Sequence, residues 1–136
     1  MSVTRWDDTV ATARATMDAE HQVELSLLAE VRAAMHERGD RAMAIDILRQ
    51  LIDHTNVHFT SEQLLMRLTA FPDFQAHQLE HDELMRQAHT LLAHVEAGEI
   101  EPTIRFIDAM TTWLTDHMQQ KDRALARFLE RKPPMA

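Results

Sequence analysis

At 136 residues and a formal charge of −8, the chain is long enough for one domain with its own core, and it offers no basic surface suited to nucleic acid. It has no cysteine, which removes disulfides, thiolate ligands and iron–sulfur clusters, and its two glycines and four prolines among abundant Ala, Leu, Met, Glu, Gln and Arg favour an all-α fold. No apolar stretch is long enough to cross a bilayer, and Met1 to Asp8 lacks the basic-then-apolar pattern of a secretory signal, so a soluble cytoplasmic protein without membrane insertion is expected.

Breaks at Gly39-Asp40, at Phe71-Pro72-Asp73 and from Ala97-Gly98 to Pro102 divide the chain into four helices, and Lys132-Pro133-Pro134 ends the last. The first is expected over 18–37 with Asp18 as its N-cap, after an N-terminal arm of residues 1–17; the others are expected over 41–69, 74–96 and 102–131. Short connections make sequential helices antiparallel, which predicts an up-down-up-down four-helix bundle forming a single domain over 1–136.

The first helix carries His21, with Glu24 one turn further on. The second keeps Leu48, Leu51, Thr55, His58, Glu62, Leu65 and Thr69 in steps of three and four, so a histidine and a glutamate interrupt an inward row. In the third, Phe74, His77, His81, Leu84, Ala88, Leu91 and Val95 form the same kind of seam and place both histidines in the core. The fourth brings Ile107, Met110, Leu114 and His117 inward, then resumes at Asp122, Leu125 and Leu129 after a step of five. A straight α-helix would turn Lys121 inward instead, so a π-type widening is predicted near Met118 to Lys121.

Buried carboxylates and imidazoles without partners cost several kcal/mol each, and a cluster of them calls for hydrogen bonds or a cation. His21, His58, Glu62, His77, His81, His117 and Asp122 can lie at one level of the bundle, and five imidazoles with two carboxylates suit a pair of transition ions rather than calcium or magnesium. Donor types alone leave iron, zinc and manganese open.

The order of these residues resembles the hemerythrin family, in particular its bacterial single-domain members. The resemblance runs from Trp6 almost to the C-terminus through Met17-Asp18-Ala19-Glu20-His21, His58-Phe59-Thr60-Ser61-Glu62, Phe71-Pro72, His77-Gln78-Leu79-Glu80-His81 and Trp113 to Asp122. It implies two iron ions, cycling between ferrous and ferric, with an oxo or hydroxo bridge. His77, His81 and His117 would saturate one iron, His21 and His58 would hold the other, and Glu62 and Asp122 would bridge them. The second iron would keep a position open for dioxygen.

Several functions fit that resemblance. Reversible dioxygen binding for storage, delivery or sensing is the first; a redox or oxygen sensor acting on a partner, and a peroxidase-like or oxygen-activating enzyme modulated by Glu24, are the alternatives. The absence of tyrosine excludes a tyrosyl-radical enzyme. Glu24 stands where the family commonly has an apolar residue, and helix geometry predicts a flank position turned to solvent; turned inward, it would approach the open iron. Trp113 and Leu114 are expected in the core, where they can also wall the oxygen pocket. His36, His89 and His94 are expected at the surface, and His54 as a partly buried structural residue. A monomer or weak homo-oligomer is expected.

Overall fold

A computed structural model describes the backbone of residues 2–131 and the side chains from residue 15 onward. Lys132-Pro133-Pro134 and the side chain of Trp6 lie outside the described residues. The chain forms α1 (Ser2–His36), α2 (Arg41–Leu68), α3 (Phe74–Glu96) and α4 (Ile100–His117); one π-helical turn, Met118–Asp122, joins α4 to α5 (Arg123–Arg131). No strand occurs among the described residues, and no helix there is long and apolar enough to cross a membrane.

The helix ends follow from local chemistry. Gly39 and Gly98 take φ of +57° and +73° in the α1–α2 and α3–α4 connections, a region that costs glycine little. Asp40 caps α2, its carboxylate accepting the Met43 N–H at 3.0 Å. At the end of α2, Ala70 takes φ +53° and Phe71 N–H donates to Met66 O at 3.0 Å, a reversal that turns Phe71 into the core. The left-handed alanine costs roughly 1 kcal/mol, which the burial of Phe71 offsets.

The expected start of the first helix is wrong. α1 begins at Ser2, so residues 2–17 are helix rather than an irregular arm, and Asp18 lies inside α1 rather than capping it. That stretch has three alanines and neither glycine nor proline, so nothing in it stops the helix from extending backward once the later turns are packed. The other boundaries fall within two residues of expectation.

α1 packs on α2 and α4, and α3 on the same two, which closes an all-α four-helix bundle with α5 continuing the fourth rod. Its apolar interior falls into two clusters. The larger contains Leu28, Leu48, Leu91, Ile107 and Leu114; the smaller contains Met66, Phe71, Leu125 and Leu129. Along every rod the polar inward residues lie between members of these clusters or at the end of one, so the bundle carries a polar layer flanked by hydrocarbon.

Candidate metal centre

Two groups of side chains converge in that layer. His77, His81, His117 and Asp122 offer donor atoms within 4.8 Å of one another, and so do His21, His58, Glu62 and Asp122. Two carboxylates tie the groups together. Glu62 sets Oε2 at 2.6 Å from His58 Nε2 and Oε1 at 3.1 Å from Nε2 of both His77 and His81. Asp122 sets Oδ2 at 2.8 Å from His21 Nε2 and Oδ1 at 3.0 and 3.1 Å from Nε2 of His77 and His117. Each carboxylate therefore presents one oxygen to each group.

Many of these contacts are close without being hydrogen bonds. Nε2 of His21, His58, His81 and His117, with Glu62 Oε2 and Asp122 Oδ1, are buried yet have no hydrogen-bond partner among the described residues. Donor atoms gathered within 4.8 Å of one another and left without hydrogen bonds are unsatisfied as they stand. Cations bound between them would satisfy them, and the imidazole-carboxylate donor set fits iron.

The π turn is what delivers Asp122. It spans Met118–Asp122, the region predicted from the five-residue step, and it lets His117 and Asp122 face the same layer.

Charge couples the layer. Burial alone would lower His58 and His77, but the close Glu62 carboxylate lifts His58 to about 10, and Asp122 with Glu62 lifts His77 to about 9. Burial likewise opposes ionisation of Glu62 and Asp122, and the surrounding histidines overcome it and hold both carboxyls below their usual range. For His81 burial prevails and its pKa falls.

Two orienting carboxylates were not anticipated. Glu20 Oε1 accepts from His58 Nδ1 at 2.8 Å, and Glu80 Oε1 accepts from His117 Nδ1 at 2.8 Å. Each fixes its partner's tautomer so that Nε2 faces the layer. The available signal is the Glu-His dipeptide: Glu20 precedes His21 and Glu80 precedes His81, and a residue about 100° round the helix reaches the adjacent rod. Phe59 stacks on His81 with centroids 3.7 Å apart, and Trp113 stacks on His117 at 5.5 Å.

The hemerythrin HHE cation-binding domain matches residues 12–129. The chain belongs to the hemerythrin family. It is 27% identical to a bacteriohemerythrin of Ralstonia nicotianae over 136 residues, covering 100% of this chain and 96% of that one. It is 35% identical to a bacteriohemerythrin of Methylococcus capsulatus over 88 residues, 62% of this chain and 65% of that one. With a myohemerythrin of Riftia pachyptila it shares 26% over 117 residues, 86% of each chain. No solved structure matched. The hemerythrin family binds dioxygen and a non-haem di-iron centre, and the His, Glu and Asp clusters of this chain can hold such metals.

In this hemerythrin Glu24 departs from expectation: it is 1% exposed rather than turned to solvent. It sits one turn from His21 on a helix enclosed by α2 and α4, and burial pushes its carboxyl up to about 7. His54 is half-buried, as expected; His36 and His89 are exposed, and His94 pairs with Glu99 at 2.8 Å. Leu114 lies in the core, while Trp113 is half-buried and borders a cavity of about 420 Å³ together with Glu80 and His117.

Proposed function

We propose that this protein binds dioxygen reversibly at two irons held by His21, His58, Glu62, His77, His81, His117 and Asp122. The observation that carries this reading is that Glu62 and Asp122 each direct one oxygen to each donor group, the arrangement two bridging carboxylates require. Two irons bound here would supply the electrons that dioxygen binding needs. The protein's part is to hold and seal. His77, His81 and His117 give one group three imidazoles, whereas His21 and His58 give the other two.

The cavities favour the two-imidazole side as the open one. His21 and Asp122 border a cavity of about 490 Å³ with Met17 and Met118, and His58 and Glu62 border one of about 170 Å³ with Met17 and Leu65. Of the three histidines on the other side, His117 borders the cavity beside Trp113. The apolar clusters on both sides limit the access of water, and of its protons, to the layer.

Iron content and absorption spectra test the proposal. Two irons per chain, little colour under anaerobic reduction, a visible band in air and its loss on removing oxygen are expected. One metal per chain, or zinc alone from iron-replete cells, would count against it.

A second reading, a peroxidase-like or oxygen-activating role, draws on one observation. Glu24 is a buried carboxylate beside His58 whose Oε2 has no partner among the described residues, a group able to supply a proton near the two-imidazole side. Peroxide-dependent oxidation of a reducing dye that disappears in Glu24→Leu would favour this role.

A further inference from the structure

α2 shows His54, His58 and Glu62 one turn apart on a single face, so the face that supplies two residues to the centre continues one turn outward. His54 stands at the outer end of that row with its side chain 29% exposed. Opposite it on α1, Glu24 is 1% exposed. Glu24 Oε2 lies 3.9 Å from His54 Nε2 and 4.0 Å from His58 Nδ1. The His58 nitrogen is already satisfied by Glu20 at 2.8 Å, but neither Glu24 Oε2 nor His54 Nε2 has a hydrogen-bond partner among the described residues.

A buried carboxylate oxygen and a buried imidazole nitrogen have thus been brought together without being joined. A direct hydrogen bond would require them to close by about 1 Å. Two coordination bonds of ~2.1 Å span up to ~4.2 Å, so one ion fits between the two atoms as they stand. Imidazole with carboxylate suits a divalent first-row cation and disfavours magnesium or calcium.

We propose that Glu24 and His54 form a third metal site, which takes ferrous iron from solvent and passes it to the centre. Two protein donors are fewer than either group of four offers, so this site binds more weakly, as transfer requires. The His54 ring is 29% exposed while its Nε2 is buried, so an ion enters past the ring edge, and the His58 ring lies between the site and the centre, with Nδ1 toward Glu24 and Nε2 against Glu62. The inference rests on the reading of the centre as a metal site.

The test is anaerobic titration of the metal-free protein with cobalt(II) as a spectroscopic probe and with ferrous iron, alongside His54→Ala and Glu24→Gln. The parent should bind three ions per chain, the third at least about tenfold more weakly, and both variants two. The first two sites should fill with iron at least severalfold more slowly in the variants. Two ions in the parent, or three in both variants, would overturn the third site and leave the centre standing. A third ion in the parent with unchanged filling rates in the variants would overturn the transfer role. Fewer than two ions in the parent would overturn the centre itself and the inference with it. His54→Ala alters a half-exposed side chain and carries the test alone if Glu24→Gln does not fold.

Discussion

His117 donates its Nδ1 proton to Glu80 Oε1 across 2.8 Å, and Lys121 Nζ steadies the same carboxylate from 3.5 Å. The bond holds the ring so that Nε2 meets Asp122 and the metal layer. Glu80→Ala should therefore weaken metal binding about 10–100-fold without removing a donor, and Glu20→Ala should do the same through His58. Competition with a chelator measures the effect. Unchanged affinity in both variants would show that packing against Trp113 and Phe59 orients the rings instead.

The inward rows of α2, α3 and α4 were legible because a buried stripe must repeat every three or four residues, and a break such as His117 to Asp122 then demands a widened turn. Asp18 misled because capping chemistry marks where a helix can begin, while residues 2–17 lack anything to end one. Glu24 misled for another reason. Charge argues for solvent, but its burial depends on how α2 and α4 close over α1, a tertiary fact absent from one helix's pattern. Glu20 and Glu80 escaped because each serves a histidine on the adjacent rod, 38 and 37 residues away.

Removing one donor should cost an ion. His77→Ala or His81→Ala should lower iron from two per chain to about one or fewer, since the vacated position leaves the remaining donors of that group unable to complete the site. His89→Ala and His94→Ala, outside the layer, should retain both irons. Elemental analysis of the four variants decides it, and equal iron in all four would discredit the ligand set.

Without metal, stability should depend on pH in a defined direction. His58 and His77 have folded pKa values of about 10 and 9, above the unfolded value of 6.5, so their contribution is full below 6.5 and lost as pH rises through 9 to 10. Glu24, raised to about 7, adds a loss between 4.5 and 7, because its proton is held more tightly in the folded state. Glu62 and Asp122, both lowered, contribute above their unfolded values of 4.5 and 3.8 and lose that contribution in acid. The apoprotein should therefore be most stable near pH 5 to 6 and weaken steadily toward pH 10. Urea unfolding across that range measures the trend, and metal should abolish the alkaline decline because it takes the place of the protons. An apoprotein equally stable at pH 6 and 9 would contradict the histidine-carboxylate coupling.

The role of Glu24 separates carrier from catalyst in one spectroscopic cycle. The anaerobically reduced parent should be nearly colourless, gain a visible band in air and lose it when oxygen is withdrawn. Whether the band survives depends on proton supply, because Glu24 is buried beside His58, where burial favours the neutral carboxyl and so a proton held within reach of the layer. Glu24→Leu removes the donor and replaces it with hydrocarbon of similar reach. Conversion to a ferric product without reversal should then slow by about 100-fold, the lower end of what a positioned acid contributes. If the parent already cycles many times and Glu24→Leu changes nothing, the carboxylate has no part in oxygen chemistry and is free for the metal-loading role. If neither protein acquires a band in air while both hold two irons, reversible dioxygen binding fails, and an enzymatic or redox-sensing use of the same centre takes its place.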